Sequence, residues 1–156
     1  MEMLAVVLLV ALLMSFALPV YRTIRFEMRH SQAEQAAVKM AEAMRSFYAH
    51  SKGGYITGSF NPTETAGAQV MMSAESACTD RLKSGIPNTS GGEFTIAQLF
   101  ACGYLSYKDF QGLPYEFTAN GTGEPLVTAT GKEQAGKFSG KTIQVSKKMY
   151  VIEDEE

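Results

Sequence analysis

The chain has 156 residues, 14 basic against 16 acidic side chains for a formal net charge of -2, and 46% hydrophobic residues. That length supports one modest domain plus a tail, and excludes two comfortable domains. The charge excludes a nucleic-acid grip spread over the whole surface, which needs a basic excess or a clear basic stripe, so no specific nucleic-acid partner is expected.

Residues 3–20 are apolar except for Ser15 and Pro19, so Glu2 carries the only formal side-chain charge before Arg22. Eighteen residues at 1.5 Å each make a helix of about 27 Å, close to the hydrocarbon thickness of a bilayer. Residues 1–20 therefore read as a membrane or filament-core segment. An ionised carboxylate at the end of such a helix is costly in lipid unless paired, and such residues are usually functional. A cleavable signal peptide competes with this reading, with Ser15-Phe16-Ala17 as a loose cleavage site, but signal peptides begin with positive charge and this segment begins with a carboxylate. Pro19 removes a backbone donor and crowds the preceding turn, which predicts a kink or local melting just before it.

Arg22, Arg25, Arg29 and His30 follow, and read as membrane-flanking or solvated helix charges. By themselves they favour a cytoplasmic main domain, whereas a cysteine pair favours an oxidising compartment. A basic leader preceding Met1 reconciles the two, so a processed or trimmed chain is expected.

Helical spacing continues over residues 21–52. Met28, Ala33, Ala36, Ala37, Met40, Met44 and Phe47 recur every three or four positions, with Arg29, Gln32, Glu34, Lys39, Glu42 and Arg45 on other faces. Lys39 with Glu42, and Glu42 with Arg45, are expected to pair along the helix. Its end is expected near His50, where Ser51-Lys52-Gly53-Gly54 supplies stop signals. The aromatics Phe16, Tyr21, Phe26, Phe47 and Tyr48 are read as packing residues in preference to an electron path.

Glu2, the unbroken apolar run, Pro19 seventeen positions later and the ending Ala17-Leu18-Pro19-Val20-Tyr21 together form a pattern. It resembles the N-terminal helix of the type IV pilins, whose usual ending is Ala-x-Pro-x-Tyr, and the likeness covers about fifty residues when the amphipathic continuation is included. The resemblance implies a filament subunit stored in the inner membrane and then bundled with identical subunits in the core of an extracellular pilus. It implies assembly roles for Glu2, Pro19 and Tyr21, with Glu2 paired to the N-terminal amine of a neighbouring subunit. A prepilin peptidase, the pilus assembly machinery and a methylated first residue are implied as well. A pseudopilin of a type II secretion system, or a minor pilin, shares the same helix. A single-pass membrane-anchored ligand-binding domain is the alternative from a different class.

The chain also departs from the family. Only Met1 precedes Glu2, so about three mature residues and the leader are expected upstream. Ala11 or its neighbours stand where a glycine is frequent, which favours helix. The cysteines lie mid-chain, so the family's C-terminal disulfide loop and its receptor-binding roles are not carried over.

Residues 53–156 read as a globular head. From 53 to 112 a connecting region rich in small and polar residues is expected, with turns at Asn61-Pro62 and Pro87-Asn88 and short helices over Ala74–Leu82 and Thr95–Cys102. Cys78 and Cys102 fit either a disulfide or two buried thiols. Bridged, they close a loop between ends 24 positions apart, worth roughly 3 kcal/mol in the chain-entropy model, and fasten the two helices together. From 113 to 152 a β-meander is expected: Tyr115, Phe117 and Ala119 on one face, a turn at Asn120-Gly121-Thr122-Gly123, a run from Leu126 to Thr130, and a single run from Lys141 to Ile152. In that last run Ile143, Val145, Met149 and Val151 share a face, interrupted by Lys147. The fold class is α+β: a long N-terminal helix packed on a small antiparallel sheet, with a disulfide-stapled connecting region.

Chemistry-bearing motifs are sparse. His30 and His50 stand twenty positions apart on one helix, about 30 Å, too far to share a substrate. No nucleophile elbow, phosphate-binding loop, HExxH or Cys/His metal spacing is present, so no enzyme, cofactor or metal is expected. The acidic Glu153-Asp154-Glu155-Glu156 reads as a solvated end. Asn88-Thr89-Ser90 and Asn120-Gly121-Thr122 fit the glycosylation acceptor pattern but read better as turns.

Overall fold

The computed structural model describes residues 2–51, 54–62, 93–132, 138–149 and 151–154. The helix expected over Ala74–Leu82, Cys78, the Pro87-Asn88 turn, the Asn88 acceptor and Glu155-Glu156 lie outside the described residues. The chain divides into two units, Met1–Ser31 and Gln32–Glu156, and a single helix, α1 (Glu2–His50), contributes to both. A long N-terminal apolar helix followed by a β-sheet is the architecture expected of a pilin-like chain.

Within the first unit α1 is helical throughout, Pro19 included. Pro19 lacks the N–H that the Ser15 carbonyl would have accepted, yet the local melting expected before it is not seen in the single chain. Ala17 and Leu18, both strong helix formers, precede the proline and favour helix there. Two hydroxyls fold back on the same stretch: Ser15 Oγ donates to the Leu12 carbonyl at 2.7 Å and Thr23 Oγ1 to the Pro19 carbonyl at 3.1 Å.

In the second unit a six-stranded sheet runs in the order β2-β1-β3-β4-β5-β6. Its strands are β1 (Tyr55–Phe60), β2 (Glu93–Thr95), β3 (Tyr115–Asn120), β4 (Val127–Gly131), β5 (Thr142–Val145) and β6 (Val151–Asp154). The meander β3 to β6 is antiparallel, with Phe117 opposite Ala129 and Ala129 opposite Ile143. Tyr115, Phe117 and Ala119 are buried, as their alternation requires.

Three expectations are corrected. The connecting region contributes two strands: β1 pairs antiparallel with β3 and parallel with β2, so the sheet is mixed and not antiparallel alone. The run from Lys141 to Ile152 is two strands, β5 and β6, separated by a reversal at residues 146–149. There the Met149 N–H donates to the Ser146 carbonyl at 2.9 Å, and Met149 adopts φ +66°. Lys147, read as an interruption on one face, sits in that reversal, its N–H donating to Glu124 Oε1 at 2.9 Å. The third correction concerns charge pairing along α1. Lys39 Nζ meets Asp109 Oδ1 at 2.9 Å and Arg45 Nη2 donates to the Lys147 carbonyl, so both reach the head and not Glu42.

The helix expected at Thr95–Cys102 is α2 (Ile96–Ala101), with the Thr95 N–H donating to Gln98 Oε1 at 3.0 Å. Gly103, at φ +74°, ends it in a conformation open to glycine. A 3-10 turn, Tyr107–Asp109, leads on toward β3.

The core forms where the C-terminal half of α1 meets the sheet. Ala33, Ala36, Ala37, Met40, Ala41, Met44 and Phe47 are all buried. The Phe47 ring meets Phe94 and Tyr104 edge-on at 5.0 and 5.6 Å. A second group joins Phe60, Phe100, Phe110 and Phe117 at centroid distances of 5.1 to 5.7 Å, mostly in the edge-to-face geometry that aromatic quadrupoles favour.

Candidate functional site

The largest feature left without an internal partner is the apolar stretch of α1. Every side chain from Met3 to Arg25 is exposed, including Met3 at 85%, Phe16 at 67% and Leu8 at 68%. Because the apolar residues are continuous, all faces of this helix are apolar, the pattern of a helix meant for lipid or for the middle of a bundle. Leaving one large apolar side chain in water forgoes about 1.5–3 kcal/mol, and the contiguous patch exceeds what soluble monomers ordinarily expose. The helix is long and apolar enough to cross a membrane.

Glu2 opens α1, and its side chain lies outside the described residues. The nearest cationic side chain on the helix is Arg22, twenty positions away, or about 30 Å along the axis. No cation of α1 can therefore neutralise the Glu2 carboxylate. Pro19 and Tyr21, both exposed, stand near the far end of the apolar run. The three residues singled out from sequence are thus not one cluster: Glu2 marks one end of an apolar cylinder, and Pro19 with Tyr21 the other.

Cys102 caps the C-terminus of α2, its N–H donating to the Gln98 carbonyl at 2.9 Å. No cysteine is free among the described residues. Because Cys78 lies outside them, the expected staple gains no support there. At the other sequence motif, Asn120 Nδ2 donates to the Pro125 carbonyl at 2.8 Å and to Thr128 Oγ1 at 3.3 Å, and Gly121 takes φ +62°. These contacts give Asn120 a structural task in the turn.

Sequence reasoning missed a groove in the second unit, a cavity of about 400 Å³ lined by Met44, Arg45, Tyr48, Tyr55, Ile56 and Leu126, among others. It depends on β1, which carries no clear strand signal, so nothing in the sequence pointed to it. A more polar hollow of about 290 Å³ lies beside Gln32, Gln35, Lys39, Lys108, Asp109 and Gln111. Among the described residues no three His, Cys, Asp or Glu side chains converge as metal ligands. Comparison with protein-family models, with curated proteins and with solved structures yields no match to this chain.

Proposed function

We propose that this chain is a structural subunit of a type IV pilus. Its apolar helix is held in the inner membrane before assembly and packs against identical helices in the core of an extracellular filament afterwards. The observation that carries the reading is the apolar cylinder of α1, exposed on all faces and bounded by Glu2 and Pro19 at the spacing of the pilin pattern. Lipid and close-packed helices are the two surroundings that satisfy such a surface.

Glu2 acts as the registry device. In the filament its carboxylate pairs with the N-terminal amine of a neighbour, and a subunit out of register leaves both charges buried and unpaired. Removing one partner of a buried pair costs about 3–5 kcal/mol, whereas the pair itself contributes little net stability. Glu2→Ala is therefore expected to abolish most filament yield while the head stays folded. Electron microscopy of sheared surface material, with mass spectrometry of the N-terminus, reads fibres, upstream residues and methylation together. Wild-type filament yield from the variant would sink the proposal. In the same sample, a Cys78–Cys102 bridge predicts a mass two hydrogens below the dithiol and no alkylation before reduction.

The groove beside Met44 and Tyr55 favours a second reading, a single-pass membrane-anchored domain that binds a ligand and never polymerises. That reading requires tolerance of Glu2 substitution and no fibres.

A further inference from the structure

Arg22, Arg25 and Arg29 are three and four positions apart on α1, immediately beyond the apolar run. At about 100° per residue they fall within an arc of roughly 60°, and Glu27 lies about 140–160° from each of them. None of the three makes a hydrogen bond or ion pair among the described residues; Arg22 and Arg25 are exposed and Arg29 is half-buried. Like charges at these spacings destabilise an isolated helix by a few tenths of a kcal/mol per pair. A stripe that works against its own helix calls for an anion from outside.

Depth identifies that anion. Measured from Val20, Arg22, Arg25 and Arg29 stand about 3, 7.5 and 13.5 Å further along the axis, while the polar layer on each side of a bilayer core is roughly 5–8 Å thick. Side chains on a helix slant toward its N-terminus, here back toward the apolar run, and long basic side chains extend their heads into the headgroup layer. All three guanidinium groups can thus reach the headgroup layer, on one side of the helix. Tyr21, exposed at the start of the stripe, has the amphipathic ring suited to the same boundary.

We infer that Arg22, Arg25 and Arg29 form a docking surface for the phosphates of anionic phospholipid, setting the depth and rotation of the membrane-stored helix. The inference rests on the membrane-stored stage of the proposed function, and not on filament formation. Each guanidinium offers a planar fork of donors that matches a phosphate, so the charge is matched in number and in geometry.

The test uses the full chain in nanodiscs holding equal phosphatidylglycerol and phosphatidylcholine, with the lipids retained on release counted by native mass spectrometry. The wild type should retain phosphatidylglycerol in excess, by up to about fivefold per arginine. The triple variant Arg22→Gln, Arg25→Gln, Arg29→Gln should bring the ratio near unity, and the corresponding triple Lys variant should keep most of the excess. Three outcomes overturn the inference: equal ratios in the wild type and the Gln variant, loss of the excess on adding millimolar inorganic phosphate, or cross-linking of the arginines to acidic side chains of a second copy in place of lipid. Glu2→Ala should keep the lipid preference. In the wild type, lipid preference without surface fibres would refute the filament reading alone, and fibres without lipid preference the docking surface alone.

Discussion

Two stretches of α1 both carry apolar residues and meet opposite fates. Residues 3–20 expose nearly everything, whereas Ala33, Ala37, Met40, Ala41 and Phe47 are closed off against the sheet. The difference lies in how the apolar residues are arranged as well as in how many there are. The first stretch is apolar on every face, so no single neighbouring layer can cover it. The second confines its apolar residues to one face and leaves Gln35, Lys39, Glu42 and Arg45 in water. A one-sided stripe folds a domain, and a cylinder needs a surrounding medium.

The comparison breaks most readily at the buried face. Phe47→Ala should cost about 3–5 kcal/mol of head stability, read as a drop in the thermal midpoint. Leu8→Ala, by contrast, should leave that midpoint unchanged and alter only detergent or membrane partitioning. If the two variants destabilised equally, the division of the helix would be wrong. Gly131→Ala probes the sheet side: a Cβ there would sit 1.6 Å from the Phe138 carbonyl oxygen, so a loss at or above the top of the usual range of about 1–3 kcal/mol is expected. Gly54→Ala meets the Phe94 ring edge and Ser51 Oγ at 2.5 and 2.7 Å. Its expected loss in urea melts is smaller, about 1–2 kcal/mol, because a ring can shift where a backbone cannot. Smallest of all is the Lys39–Asp109 pair, half exposed at 51% and 36%. A double-mutant cycle should give about 0.2–1 kcal/mol, shrinking with added salt.

Legibility followed the strength of local pattern. Three-and-four spacing placed α1 to its last turn, and the alternation of Tyr115, Phe117 and Ala119 placed β3 and its buried face. β1 escaped because Gly58 and Ser59 break the apolar alternation between Ile56 and Phe60, and Gly58 takes φ +109° inside the strand. β2 is three residues long and exists through its pairing with β1. The reversal between β5 and β6 was hidden for another reason: Ser146-Lys147-Lys148-Met149 has no glycine, proline or asparagine, and a methionine takes the left-handed position. That turn is pinned from outside by Glu124 on the Lys147 N–H and Arg45 on the Lys147 carbonyl, and tertiary contacts of this kind leave no mark in the local sequence. At the candidate site the same division holds. The Glu2-to-Pro19 spacing was readable as one-dimensional text, while the groove beside Tyr55 required knowing that β1 lies near Met44 and Tyr48.

The unbroken helix also has a mechanical meaning. Within the second unit no loop interrupts the helix between Gln32 and His50, so tension applied along that stretch acts lengthwise on the face carrying Ala33 through Phe47. Such a pull loads that face in shear. Slippage has to drag the alanines, Met40, Met44 and the Phe47 ring past their neighbours together, whereas a pull through a flexible linker would peel contacts away one at a time.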